Sequence, residues 1–252
     1  MAHFLLDIGN SRLKWAMTSG NGKLASVGCA NHPSRGVDQF ASQHWATFEP
    51  PESVMISCVA SLKFVEQITN WIESNWGVTP QLVVSPSQGW GVTNAYVDPS
   101  KLGCDRWAAL VAGRARTSRP CFIVDCGTAV TVDVLAADGV HQGGLIVPGL
   151  ALMRESLVKR TARIRPQGNP NANRGTSLFA RDTAGAVEGG TLYALVSFID
   201  RAAQDVETEM GEKIHRFLTG GDAPAVLPLL AGPYDHVPEL VLEGLAVMAG
   251  GP

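Results

Sequence analysis

The chain of 252 residues contains no segment long and apolar enough to cross a bilayer. It also has no basic N-terminal region, and Asp7 interrupts its first apolar run, which argues against a secretory signal. No C-x-x-C pair occurs, and the five cysteines, Cys29, Cys58, Cys104, Cys121 and Cys126, are odd in number. A disulfide frame and a zinc site are both poor fits to that pattern, so reduced thiols in a cytoplasmic protein are expected. Charged residues make up only 17% and the formal net charge is −3, so the basic patch that nucleic acid requires is missing. Neither a nucleic-acid partner nor a membrane is therefore expected. The six histidines, His3, His32, His44, His141, His215 and His236, form no ligand spacing with one another and read as satisfied or solvated side chains. Low-complexity segments are absent.

What the chain does have is apolar material for a core: 45% hydrophobic residues and a mean hydropathy of +0.08. Its length suits one large domain or two of ordinary size. A repeated pattern favours two. Phe4 to Trp15 reads F-L-L-D-I-G-N-S-R-L-K-W, and Phe122 to Val134 reads F-I-V-D-C-G-T-A-V-T-V-D-V. Each is a buried-type strand ending in Asp, a Gly two residues on, small residues, then a second β-type run, Arg12 to Met17 or Val130 to Leu135. Gly20-Asn21-Gly22 and Asp138-Gly139 supply the hairpin turns that follow.

The turn chemistry is specific. Glycine admits close backbone approach and positive φ. Asn10, Ser11, Thr128, Thr131 and the turn N–H groups can donate to phosphate oxygens. Asp7 and Asp125 offer hard oxygen ligands for Mg²⁺ or another cation carried by a nucleotide. One D-x-G is a weak signal, and ordinary acidic hairpins are the bland reading. Two copies in matching strand contexts suggest a clamp on a phosphate chain between two lobes.

Along the rest of the chain, a third strand is expected over Lys23 to Cys29 and a helix over Arg35 to Phe48. A strand follows over Ser53 to Val59, then a helix over Leu62 to Trp76 with Ser61 as N-cap and Gly77 as its stop. Gln81 to Val84 reads as a short strand, Ser85 to Ser100 as a loop, and about Asp105 to Arg116 as a helix. Beyond the second hairpin come a helix over Leu150 to Thr161, a polar loop over Arg163 to Arg174, and a helical stretch from about Thr176 to Met210 interrupted near Gly189-Gly190. A strand over Ile214 to Leu218 leads into Gly220-Gly221, which reads either as room for an adenosine ring or as a plain turn, and Pro238 to Met248 as a closing helix. The first third reads β-β-β-α-β-α-β, an RNase H-like order.

The paired acidic hairpins resemble the phosphate-binding repeats of the sugar kinase/actin superfamily. With Tyr96 to Trp107, Y-V-D-P-S-K-L-G-C-D-R-W, with D-C-G-T-A-V-T at Asp125 to Thr131, and with G-G-L-I-V-P-G at Gly143 to Gly149, the chain is similar to type III pantothenate kinases, the family that includes the Bvg accessory factor proteins. The resemblance implies an α/β fold of two RNase H-like lobes, with mixed sheets flanked by helices and the active site in the cleft between them. The lobes are expected over 1–117 and 118–252, the last helix packing back on the first.

The implied activity is ATP-dependent phosphorylation of the 4'-hydroxyl of pantothenate, the first step of coenzyme A biosynthesis. The resemblance assigns Asp105 as catalytic base and Asp7, Ile8, Gly9, Asn10, Ser11, Arg12, Leu13, Lys14 and Thr128 to the nucleotide. Arg12 and Lys14 alternate on an extended segment and share a face, so either a phosphate contact or a solvated sheet face is open to them. It also assigns Tyr96, Gly103, Cys104, Asp105, Arg106 and Thr183 to pantothenate, Thr183 across a homodimer interface. Asp7 is expected to orient Mg²⁺, directly or through water, and Asp125 to hold a monovalent cation, K⁺ or NH₄⁺. A kinase for another small polyol or sugar is the rival within enzymes, and a non-catalytic regulatory protein the rival outside them. The first turn reads G-N-S where many members have G-N-T, which keeps the hydroxyl.

Overall fold

The structure, a computed structural model, describes residues 2–19, 22–33, 36–161, 164 and 179–251. The polar loop expected over Arg163 to Arg174, apart from residue 164, lies outside the described residues, as do Gly20-Asn21 of the first hairpin turn and the start of the stretch from Thr176. The chain divides into two compact units: Met1–Arg119 with Leu135–Gly143 and Glu239–Pro252, and Pro120–Val134 with Gly144–Pro238.

In the first unit the strands are β1 (His3–Ile8), β2 (Arg12–Thr18), β3 (Leu24–Asn31), β4 (Ser53–Cys58) and β5 (Gln81–Leu82), in the spatial order β3-β2-β1-β4-β5. β1, β2 and β3 run antiparallel, while β4 joins β1 in parallel and β5 joins β4 in parallel. β1 is an almost unbroken apolar run, and Phe4, Leu5, Leu6 and Ile8 are fully buried, as befits a central strand covered on both faces. Helices α1 (Val37–His44) and α2 (Leu62–Trp76) lay one face on this sheet. In α2 the buried side chains Val65, Ile68, Trp71 and Ile72 recur every three or four residues, the stripe that makes the segment helical in this setting. Trp45, fully buried, meets Phe4, Trp15, Phe40 and Trp71 edge-on at 5.3–5.9 Å.

Gly77 ends α2 in the left-handed conformation as expected. Ser61 occupies the N-cap position with an extended backbone, but its hydroxyl makes no capping bond. The stretch from Ser85 to Ser100 is more ordered than a loop: β6 (Gln88–Gly89) and β7 (Val92–Thr93) pair in a small hairpin, and a 3₁₀ turn covers Pro99–Lys101. Trp90 and Gly91, both at positive φ, make its two-residue turn. Helix α3 (Cys104–Arg116) follows.

The second unit repeats the plan. Its strands are β8 (Cys121–Cys126), β9 (Ala129–Leu135), β10 (His141–Pro148), β11 (His215–Thr219) and β12 (Asp235–His236), ordered β10-β9-β8-β11-β12. β11 is parallel to β8 and β12 parallel to β11, matching β4 and β5. Helices α4 (Leu150–Arg160) and α5 (Thr183–Met210) and the single turn α6 (Ala223–Val226) border the core of Phe122, Val124, Val130, Val132, Leu195 and Ile199. α5 runs unbroken through Gly189-Gly190. A Cβ at Gly190 would meet nothing, so no packing demand opens the helix there. The buried stripe Val187, Thr191, Leu195, Ile199 and Ala203 outweighs the roughly 1 kcal/mol that each glycine costs.

The closing helix α7 (Leu240–Ala249) belongs to the first unit and packs on α3. Gly244 makes the approach possible, because a Cβ there would overlap the Ala108 carbonyl. Arg116 clasps Glu243 with two charge-assisted bonds of 2.6 and 2.7 Å. Among the described residues, no helix is long and apolar enough to cross a membrane.

Candidate active site

Asp7 stands near the C-terminal end of β1, and register places a polar neighbour on each side of it. Lys14 pairs with it on β2 and Ser57 on β4. Ser57 is fully buried, and its hydroxyl donates to Asp7 Oδ1 at 3.1 Å. The turn Gly9-Asn10-Ser11 closes through the Gly9 N–H, which donates to the Arg12 carbonyl at 3.0 Å. Positive φ is not used here, contrary to the expectation for the acidic turns: neither Gly9 nor Gly127 is in the left-handed region. Space explains the glycines better, since a Cβ at either would sit 3.3 Å from a carbonyl oxygen, of Arg12 or of Ala129.

Within the Asp7–Lys14 run, Asn10, Ser11 and Arg12 are exposed, whereas Ile8 and Leu13 are fully buried. Those two can offer a nucleotide only their main chain. His32, from the loop after β3, is one of the histidines expected to be satisfied or solvated. Its Nε2–H donates to the Gly9 carbonyl at 2.7 Å and its ring lies 4.8 Å from that of Phe64, so it latches the turn. No local pattern joins His32 to a turn that is distant in sequence.

The first turn of α3 carries the residues expected to meet the acceptor. The Arg106 N–H donates to Asp105 Oδ1 at 2.8 Å. A Cβ at Gly103 would stand 2.5 Å from that same oxygen, so glycine leaves the carboxylate its place. Arg106, only 6% exposed, donates through Nη1 to the Tyr96 hydroxyl at 2.8 Å and lies over the Tyr96 ring, 5.7 Å from its centroid. Cys104 turns toward β4: its sulfur accepts from the Cys58 N–H at 3.1 Å and donates to the Cys58 carbonyl at 3.3 Å. Burial raises the Cys104 thiol pKa, with the charges of Asp105 and Asp7 adding to the shift. A neutral packed thiol at this position leaves only its backbone for a ligand. The first unit therefore brings Asp7, Ser57 and Cys104 into one bonded chain, and Tyr96, Gly103, Asp105 and Arg106 into another contiguous set.

In the second unit Asp125 lies near the end of β8, level with Thr219 of β11. Gly127-Thr128 turns the chain into β9, and the Gly149 N–H donates to the Thr128 carbonyl at 2.9 Å. Gly149 and Gly220 press on this turn from the main chain. A Cβ at Gly149 would overlap the Gly127 and Thr128 carbonyls, and one at Gly220 would overlap Asp125 Oδ1. The room beside Gly220 is thus filled by Asp125 and Cys126, which favours a plain turn over an adenosine slot at that residue. Burial, then the charges of Asp125 and Asp222, pushes the Cys126 thiol up to about 12. Thr183 is exposed at the first position of α5, whose N-cap Asp182 accepts from the Gly185 N–H at 2.8 Å.

A hairpin-led sheet written twice, each copy with a carboxylate on the strand before a tight glycine turn, is the fold of the sugar kinase/actin class. Solved structures agree on the fold: a Baf family transcriptional activator from Campylobacter jejuni superposes with a TM-score of 0.60 at 19% identity, covering 99% of this chain and 98% of that one. A glucokinase from an Antarctic psychrotroph gives 0.52 at 10% identity, covering 100% and 99%. Within that class, the family profile of type III pantothenate kinase matches residues 3–205. Type III pantothenate kinases of Nitrosococcus oceani and Hydrogenovibrio crunogenus are 44% and 36% identical, over 97% and 95% of this chain and 92% and 95% of theirs. The chain belongs to the type III pantothenate kinase family.

Proposed function

We propose that the protein transfers the γ-phosphoryl group of ATP to the 4'-hydroxyl of pantothenate, with Asp105 as the base. The observation that carries this reading is the α3 first turn. There a half-buried carboxylate is held in place by its neighbouring N–H beside a buried arginine and a tyrosine. Asp105 takes the hydroxyl proton as the oxygen attacks phosphorus, and Arg106 and Tyr96 hold the acceptor's oxygens. Most of the acceleration comes from positioning and charge stabilisation. The exposed Asn10, Ser11 and Arg12, with the main chain of the turn and Lys14, bind phosphate oxygens, and Thr128 adds a second contact.

Among the described residues, no three His, Cys, Asp or Glu side chains gather into a set able to hold a metal ion alone. Mg²⁺ would arrive on the nucleotide, with Asp7 orienting it directly or through water. When bound, it neutralises phosphate charge. Asp125, seated against the Gly220 and Cys126 main chain, suits a monovalent cation such as K⁺ shared with backbone carbonyls. Exposed apolar side chains on β10, α4 and α5, including Leu145, Ile146, Leu152 and Tyr193, support a homodimer in which Thr183 reaches the partner's acceptor. The free cysteines fit a cytoplasmic setting.

The test is ATP turnover with and without pantothenate in potassium buffer, beside a panel of small polyols and sugars. Pantothenate-dependent turnover is expected, and its absence would sink the assignment. Asp105→Asn is expected to lower kcat by about 10²- to 10⁴-fold while ATP still binds. Near-normal kcat in that variant would remove the base.

A further inference from the structure

The tip of the β9–β10 hairpin belongs to the first unit, yet the reaction as described gives it no task. It is firmly tied to the segment that carries Tyr96. The Thr93 N–H donates to the Gly139 carbonyl at 2.9 Å, Thr93 bridges Val140, and Arg114 Nη1 donates to the Ala137 carbonyl at 2.8 Å. Gly139, at φ +86°, lies so close to the Gly91 carbonyl that no side chain could stand between them. This anchoring delivers His141, 1% exposed, to the back of Tyr96: the two rings stack at 6.1 Å and 12°.

We infer that His141 is a positioning residue for the acceptor, acting through Tyr96 on Arg106. The inference rests on the reading that Tyr96 and Arg106 bind pantothenate. Tyr96 is fixed at its main chain, where its N–H donates to Asn94 Oδ1 at 3.0 Å, and Asn94 Nδ2 in turn reaches the Pro86 and Pro99 carbonyls at 3.1 and 3.2 Å. Those bonds leave the ring free to swing about its own side-chain torsions. A flat aromatic face behind it removes that freedom and sets the hydroxyl that accepts from Arg106 Nη1. A buried guanidinium whose direction is set in advance binds an oxygen ligand without first being ordered. The histidine thus governs acceptor affinity and leaves the nucleotide side alone.

Steady-state kinetics of the full chain, with pantothenate and ATP varied separately, decide it. Wild-type turnover on pantothenate tests the underlying reading by itself, so failure there is distinct from failure of the His141 role. His141→Leu fills the space without an aromatic face, and is expected to raise the pantothenate KM about fivefold to tenfold, the worth of an aromatic pair. The ATP KM and kcat should stay within about twofold, because only uniform acceptor binding is lost. His141→Phe restores the face and is expected to restore the pantothenate KM. Should the leucine variant not fold, His141→Gln set against His141→Phe makes the same comparison. An unchanged pantothenate KM, an equal rise in both KM values, or a phenylalanine variant as impaired as the non-aromatic one would overturn the inference.

Discussion

The two acidic turns share a signature and are held by different means. At the first, Asp7 has a hydroxyl one strand away that donates to it, from Ser57. At the second, Thr219 occupies the corresponding place opposite Asp125, but its hydroxyl donates to the Pro238 carbonyl at 3.2 Å. The first turn spends three residues between strands and the second two. His32 ties the first twice, by its side chain to the Gly9 carbonyl and by its main-chain N–H to the Ser11 carbonyl at 3.2 Å; main-chain contact from Gly149 and Gly220 ties the second. The difference teaches that a D-x-G signature specifies a carboxylate beside a tight turn and leaves open how stiff that turn is. A turn latched in part by a side chain keeps more freedom to adjust around a ligand. A turn wedged between glycine backbones is a fixed socket, the kind of seat that the proposed monovalent cation would need.

The sharpest break of that comparison is functional. Asp7→Asn is expected to lower kcat/KM for ATP by about 10²- to 10³-fold, the scale for removing one charge partner of a transferring phosphoryl group. Asp125→Asn is expected to lower activity less, and to recover part of it as potassium is raised, because a weakened ion site refills by mass action. Potassium titrations of both variants read this directly. If both recover alike, or neither does, the two carboxylates do not divide the work in this way.

Next in size is a contrast in stability. Gly220 sits at φ +95° with no room for a Cβ, so Gly220→Ala combines backbone strain with overpacking and is expected to cost roughly 3 kcal/mol. For a chain of this length that lowers Tm by roughly 6–12 °C. Gly9→Ala meets one carbonyl at 3.3 Å at an ordinary φ, and is expected to cost about 1 kcal/mol or less. Thermal unfolding of the pair checks it. Comparable losses would mean that the first turn is as tightly wedged as the second.

What could be read from the sequence was what is contiguous in it. The run from Phe4 to Trp15 carries its own strand, carboxylate, turn and return strand, so β1, β2 and the position of Asp7 were all legible. Asp105 at the start of a helix was legible for the same reason. His32 acts on Gly9, and Gly149 and Gly220 press on Thr128 and Asp125, only because the sheets bring them there. No local pattern encodes those meetings. The β6–β7 hairpin was hidden because its strands are two residues each and its turn uses Trp90 rather than asparagine or glycine at the first position. The break anticipated in α5 failed for the opposite reason: propensity is local, and a long buried stripe overrode it.

A smaller effect separates the two turns through His32. His32→Ala removes the bond to the Gly9 carbonyl and the ring contact with Phe64, and is expected to cost about 1–2 kcal/mol in unfolding free energy. It is also expected to raise the ATP KM several-fold while the pantothenate KM holds, because the contacts proposed for that turn are all with the nucleotide. The second turn is wedged by main chain, which no side-chain truncation removes, so its counterpart would have to be made at Gly149. A His32→Ala enzyme with an unchanged ATP KM would show that the strands alone hold the first turn.

Near neutral pH the smallest effect comes from Cys126, locked beneath the second turn. Its thiol is raised from 9.0 to about 12, so the folded chain holds that proton more tightly than the unfolded chain does. Its contribution is fully present below about pH 9 and is lost as pH climbs toward 12. Over that window unfolding releases a proton, and stability falls by up to about 1.4 kcal/mol per pH unit for one such group. Tyr234, also raised to about 12 chiefly by burial, shares the upper part of the window, so the slope of wild type alone does not assign it. Cys126→Ser does: it removes the thiol, keeps nearly its volume, and should flatten the alkaline slope by about one proton. At pH 8, alkylation of the native protein should mark the exposed Cys29 and spare Cys126 until denaturant is added. A Cys126 as reactive as Cys29 in the native state would mean that the second turn opens freely, and that its main-chain wedge is no stiffer than the latch on the first.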